Sequence, residues 1–240
     1  MVEEGADIVD IGAESTRPGA SPVGEAEELA RLMPVLEGLR GAGRALSVDT
    51  SKPGVMSAAI AAGADIVNDI RALQAPGALE SVARSGAAVC LMHMQGEPRT
   101  MQSHPSYVDV VAEVRDFLRA RARACEDAGI ARDRIMVDPG FGFGKTLQHN
   151  LRLLHELDAL CALGYPVVAG FSRKSSLGGL TGKPAGDRLA ASLAVALIAV
   201  QRGARILRVH DVAETRDVLA VWSAIEQRAS PPGSCADPER

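Results

Sequence analysis

Charged and polar residues recur in this sequence at the ends of short apolar runs, where side chains from distant segments can be gathered for chemistry. Residues 6–11 carry Asp10 and lead to Glu14; 46–48 end in Asp49, 65–67 in Asn68 and Asp69, and 87–92 in His93. Residues 135–137 end in Asp138, 167–171 in Ser172, Arg173 and Lys174, and 206–209, which carry Arg208, in His210. Arg208 and His210 alternate about Val209, so they share one side of a strand, ahead of a helix whose N-terminus attracts anions. That pair reads as an anion site. Asp138-Pro139-Gly140-Phe141-Gly142-Phe143-Gly144-Lys145 invites comparison with phosphate loops, but the Walker A spacing requires glycine where Pro139 stands, and the glycines run G-x-G-x-G rather than G-x-G-x-x-G. The segment is instead expected to be a flexible loop that holds Asp138 at the mouth of a pocket with Phe143 beside it.

The polar stretch 12–19 is either a plain connection in which Ser15 or Thr16 caps a neighbour, or part of the site. Residues 172–175 are likewise either a solvated turn or site residues. Met92-His93-Met94 fits strand-end packing better than a soft-metal site, and His149 and His155 do not share a metal-binding helix face. His104 has no evident partner. No nucleophilic triad and no metal cage is visible in the spacing.

Elements that would position these groups alternate strand and helix, the pattern of a parallel sheet with its functional groups on one rim, as in a (β/α)₈ barrel. The segments starting at Glu3, Ala61 and Gln201 repeat a Gly-Ala pair before a strand, the glycine closing the preceding helix in a left-handed conformation; Gly86 and Gly164 are expected to act similarly. Helices are expected over 25–39, 53–62, 78–85, 107–128, 146–163, 187–202 and 212–227. The short, continuously apolar strands should be buried on both faces. Seven strands are counted where a closed barrel needs eight, and residues 1–4 resemble the last turn of a helix, so the strand and most of the helix ahead of Ala6 are expected to be missing. The expected organisation is one barrel domain over 1–229 and a loose tail over 230–240.

The 240 residues carry a formal charge of −4, which disfavours a general binder of nucleic acid or anionic membrane. Cys90, Cys125, Cys161 and Cys235 form no C-x-x-C pair and suit free thiols in a reducing compartment. Early acidic residues exclude a conventional signal peptide, and the longest apolar stretch, 189–200, is too short to cross a bilayer. A soluble cytoplasmic protein is expected.

Taken together, ESTRPGA, SVDTSKP, VNDI, LMHMQGEPRTMQ, DPGFGFGK, FSRKSS and RVHDV resemble, in order, the dihydropteroate synthase family from Met1 to about Gln227. The resemblance implies a TIM barrel that condenses p-aminobenzoate with 7,8-dihydropterin-6-ylmethyl diphosphate, giving 7,8-dihydropteroate and pyrophosphate for folate synthesis, and that sulfonamides inhibit. By the same resemblance Asp49, Asn68, Asp138 and Lys174 bind the pterin. Thr16, Arg17, Pro18, Phe143, Ser172 and Lys174 form the p-aminobenzoate pocket. Arg208 and His210 hold the diphosphate with Mg²⁺ sharing its charge, and Lys174, Arg208 and His210 assist catalysis. A homodimer is implied. Two departures stand out: Ala13 replaces the glycine usual before EST, and the family's first strand and mobile loop, which supply an asparagine for the metal-diphosphate end and a lid, have no counterpart, so no metal ligand is identified. Alternative readings are another pterin-binding barrel of the methyltetrahydrofolate-corrinoid methyltransferase type, against which SRKS and RVH speak, and a non-catalytic pterin-binding fragment.

Overall fold

The computed structural model describes residues 1–17 and 19–229. Pro18, Cys235 and the expected tail over 230–240 lie outside the described residues. Strands β1 (Ile8–Gly12), β2 (Ala45–Asp49), β3 (Ile66–Asp69), β4 (Ala88–Met92) and β5 (Ile135–Asp138) form a parallel sheet in sequence order. Strands β6 (Val168–Ala169) and β7 (Ile206–Leu207) pair in parallel with each other. A bridge between Val137 and Val167 carries the order from β5 to β6. These are seven of the eight strands of a TIM barrel. Among the described residues no ladder joins β7 to β1.

Helices α1 (Glu25–Leu39), α2 (Pro53–Ala61), α3 (Ala78–Ala83), α4 (Val110–Asp127), α5 (Leu147–His155), α6 (Asp158–Cys161), α7 (Ser175–Thr181), α8 (Leu189–Gln201) and α9 (Val212–Ala229) alternate with the strands. Outward-facing Val67, Val89, Leu91 and Val137 meet Met56, Val114, Leu118 and Leu153 from the helix layer, while Val9, Leu46 and Val48 meet Leu32, Leu36 and Val55. This two-sided arrangement leaves the other face of each strand end free for polar groups.

Several expected boundaries change for local reasons. The helix over 107–128 begins at Val110 because the Asp109 side chain accepts from the Val111 and Ala112 amides at 3.0 and 3.1 Å and so fixes the cap. The segment 146–163 divides at Glu156 into α5 and α6. A 3₁₀ turn at Ala185–Asp187 delays α8 to Leu189. Gly63 and Gly203 do close their helices with positive φ, whereas Gly86 does not adopt the left-handed conformation expected of it. Burial on both faces holds for β4 but not for β1, where only Val9 is buried, or for β7, whose residues are half-buried. Each of those outer strands has a described neighbour on one side only.

Candidate functional site

Parallel register carries the carboxyl ends of the strands to one rim: Gly12 pairs with Asp49, Asp49 with Asn68, and Met92 with Asp138. Asp49 is almost wholly enclosed there, and burial, then the neighbouring Asp10 carboxylate, push its pKa up to about 7 against the pull of Arg208. Arg208 projects from beyond β7 and donates through Nε to Asp10 Oδ2 at 2.7 Å and through Nη2 to Asp49 Oδ2 at 3.3 Å. Asp10 Oδ1 accepts from Ser47 Oγ at 2.6 Å, and Asn68 Nδ2 lies 3.4 Å from Asp10 Oδ2. Asp69, the other acid of that strand end, turns away: it accepts from Ser51 Oγ at 2.6 Å and from the Arg71 and Leu73 amides at 2.8 Å, which fixes the following turn.

Asp138 is buried at the end of β5. Its Oδ1 accepts from the Gly140 amide at 2.6 Å, while Oδ2 has no hydrogen-bond partner among the described residues. Burial raises its pKa, opposed first by Lys174 and also by Arg208 and Lys145. The loop after it is tightly seated rather than loose. Gly140 has φ +66°, and a Cβ there would lie 1.9 Å from the His93 carbonyl oxygen, so only glycine fits. Gln102 Nε2 donates to the Gly142 carbonyl, and Tyr107 Oη to that of Gly144 at 2.8 Å.

Lys145, which sequence reasoning does not single out, is the loop's central fastening. Its buried Nζ lies 2.9 Å from His93 Nδ1 and 3.0 Å from the carbonyl oxygens of both Gly140 and Phe143. Burial drives its pKa far down, and burial followed by the Lys145 charge lowers that of His93 to about 3. His93 is therefore neutral and packed edge-on against Phe117 at 5.0 Å, in keeping with strand-end packing. The only clue to Lys145 in the sequence is a lysine closing a glycine-rich loop.

Lys174, beyond β6, donates to the Phe141 carbonyl, and its Nζ lies 4.5 Å above the Phe143 ring. Burial, assisted by Arg208, lowers its pKa to about 8, while Asp138 and Asp49 hold it up. Ser172 is buried and sits 3.0 Å from His210 Nδ1 through Oγ. Burial leads the lowering of the His210 pKa, with Arg173, Arg208 and Arg17 adding to it. Arg173 itself turns aside, with φ +55°, to pair bidentately with Asp211. On the loop after β1, Thr16 is half-buried and Arg17 exposed, and the Gly19 amide donates to the Pro98 carbonyl across the rim at 3.4 Å.

Asp49, Asn68, Asp138, Lys174, Arg208, Ser172, His210 and Phe143 thus share one rim, with Arg17 close enough to act on His210. A half-buried Lys52, bridging Glu14 and buried Glu28, supports that rim from beneath the first loop, with Thr50 Oγ1 donating to Glu28 at 2.6 Å. Glu28 does not stand out in the sequence, since it lies on a helix where ordinary surface charge is expected, and Lys52 appears there only within SVDTSKP, with no role of its own. Such a set, with acceptors deep in the pocket and cations at its edge, can read a planar heterocycle rich in N–H donors and bind an attached anion. Among the described residues no group of three His, Cys, Asp or Glu side chains converges to hold a metal ion.

Known proteins give a concordant answer. The family model for pterin binding enzymes matches residues 1–210. The dihydropteroate synthase of Haemophilus influenzae is 54% identical over 225 residues, covering 93% of this chain and 82% of that protein. The Yersinia pestis dihydropteroate synthase, solved with a sulfonamide drug complex, superposes with a TM-score of 0.92 at 47% identity, covering 94% of this chain and 82% of that one. The Burkholderia cenocepacia enzyme, complexed with 7,8-dihydropteroate, gives a TM-score of 0.89 at 54% identity, covering 95% of this chain and 84% of that one.

Proposed function

The chain belongs to the dihydropteroate synthase family of pterin-binding barrels, and from that premise we infer how its rim performs the family's reaction. It is a transferase of folate biosynthesis that joins p-aminobenzoate to 7,8-dihydropterin-6-ylmethyl diphosphate and releases pyrophosphate. The observation that carries the assignment of residues is the open Oδ2 of buried Asp138, in the same charged cluster as Lys174 and Arg208.

In this reading the Asp138 carboxylate accepts two parallel N–H bonds from the pterin edge. Asn68 and Asp49 bind the ring, and the Lys174 ammonium meets its carbonyl and ring nitrogen. The methylene carbon then faces the Arg208 and His210 side. Its C–O bond breaks with the electron pair leaving on pyrophosphate; the dihydropterin ring supplies electrons to the carbon, and the neutral arylamine of p-aminobenzoate forms the C–N bond and loses a proton. Because that amine is already nucleophilic, the heaviest demand is stabilising the departing negative charge, which Arg208 and His210 meet. Phe143, Ser172, Lys174, Thr16 and Arg17 bound the p-aminobenzoate and sulfonamide pocket; the stacking of Lys174 over Phe143 and the rim position of Ser172 support this.

Mg²⁺ is proposed on the resemblance alone. The described side chains do not build a cage for it, so the ion would be carried chiefly by diphosphate oxygens and water. Cytoplasmic residence is proposed as well, supported by the free thiols of Cys90, Cys125 and Cys161 and by the absence, among the described residues, of a helix long and apolar enough to cross a membrane. Exposed Leu180, Leu189, Ile198, Val221 and Ile225 support a homodimer through the α7 to α9 side. The reaction is tested by incubating the chain with both substrates and following pyrophosphate and 7,8-dihydropteroate together. Equal release of both, dependent on p-aminobenzoate, is expected; no release from folded protein would refute the reading.

A further inference from the structure

Asp10 has no part in the reaction as described, yet it touches three of the rim's strands. One oxygen is held by Ser47 from β2; the other receives Arg208 from beyond β7 and faces the Asn68 amide from β3. An exposed arginine has many rotamers and an isolated surface ion pair holds it weakly. Here the acceptor is fixed first: the Asp10 side chain is only 17% exposed and the Ser47 hydroxyl pins it, so the half-exposed guanidinium is drawn to one heading. This ion pair and its companion at Asp49 tie the segment beyond β7 to β1 and β2. The contact to Asn68 uses Nδ2, which leaves Oδ1 of that amide for a ligand donor.

We propose that Asp10 is a positioning residue for the condensation, aiming Arg208 at the diphosphate end of the substrate and turning the Asn68 carbonyl oxygen toward the pterin. The inference rests on the assignment of this rim to the pterin diphosphate. It also gives Asp10 an electrostatic effect: its charge adds to the groups that act on Asp49, which are Arg208 from beyond β7, Asp69 from β3 and Glu28 from α1, with Lys174 coupled from beyond β6.

The test is steady-state kinetics of pyrophosphate release by the whole chain carrying Asp10→Asn, with Ser47→Ala as a milder variant that frees Asp10 without removing its charge. Asp10→Asn should raise KM for the pterin diphosphate about tenfold, a loss of the size expected for one charge-assisted contact. KM for p-aminobenzoate should stay within about twofold, and the melting temperature should not fall. The acidic limb of kcat/KM for the pterin should move to lower pH, because Asp49 loses a repelling neighbour. Ser47→Ala should shift KM in the same direction but less, with the limb in place. Arg208→Ala serves as the reference. Should it fail to weaken pyrophosphate and pterin diphosphate binding selectively, the reading of the site fails and the inference with it. Should Arg208→Ala behave as assigned while Asp10→Asn keeps both a normal KM and an unmoved limb, the inference alone is overturned. A loss in Asp10→Asn shared equally by both substrates and accompanied by a lower melting temperature would likewise overturn it in favour of a purely structural carboxylate.

Discussion

Asp138 meets the pterin with acceptors only, so the sharpest test at residue scale exchanges one acceptor for a donor and changes little else. Asp138→Asn should cost roughly 1–3 kcal/mol of pterin affinity, about tenfold or more, while leaving the fold intact. Calorimetric titration with a simple pterin reads this directly, and unchanged affinity would remove Asp138 from its role. Lys174 gives a pH signature. With its pKa lowered to about 8 by burial, it loses its proton as pH rises through that value, so pterin binding should fall above it, on the alkaline side of the acidic limb set by Asp49. Lys174→Met should bind weakly across the range and lack that alkaline limb; a limb that survives the substitution would belong to another group. Most of the assigned residues are legible in the sequence because each stands where a buried strand ends, and a parallel sheet leaves little else to do with a charge there. Asp10 reads there only as one more strand-end acid, since its importance lies in contacts with Ser47, Asn68 and Arg208, and the last of these comes from the opposite end of the chain.

At the scale of elements, the loop after β5 and the segment after β4 hold each other through one buried amine. Lys145→Met keeps much of the side-chain volume but takes the ammonium donor from the buried Phe143 and His93 carbonyls, which should destabilise the chain by about 1–3 kcal/mol in urea unfolding. Because that loop carries Phe143 and flanks Asp138, KM should rise for p-aminobenzoate and pterin together. A stability loss with both KM values unchanged would make the fastening structural only. Sequence spacing reads this loop as flexible because glycine permits many conformations; the structure uses the same glycines for close approach, as the 1.9 Å clash of a Cβ at Gly140 demonstrates. Helix positions are legible where apolar spacing and an acid-rich first turn agree, as in α1, whose bounds coincide with the expected 25–39. They are illegible where propensity misleads: α7 contains Gly178 and Gly179, poor helix formers, yet Leu177 packs into the core and Asn150 Nδ2 holds Ser176 Oγ at 3.1 Å.

For the whole molecule, collecting acids at one rim has a thermodynamic consequence. Burial raises the pKa of Asp49, Asp69 and Asp138 in the folded protein. For Asp49 the ordinary value is 3.8 and the folded value about 7, so between those pH values the folded state holds a proton that the unfolded state has released. Stability then falls as pH rises through that window, and the contribution is fully present only below it. Asp49→Asn removes the titration while keeping the side chain's size. At pH 8 the variant should be more stable than the parent by on the order of 2 kcal/mol, several degrees in Tm for a chain of this length. At pH 4 the difference should nearly vanish, because the parent's Asp49 is then protonated in the folded state. The same variant should bind pterin diphosphate more weakly, so the carboxylate is kept at the expense of stability. Thermal melts of parent and variant at the two pH values, paired with pterin titrations, measure both sides. A stability gain at pH 4 equal to that at pH 8 would show that the charge of Asp49 is not the source of the strain, and a loss at pH 8 would show that its ion pair with Arg208 outweighs the cost of burying it.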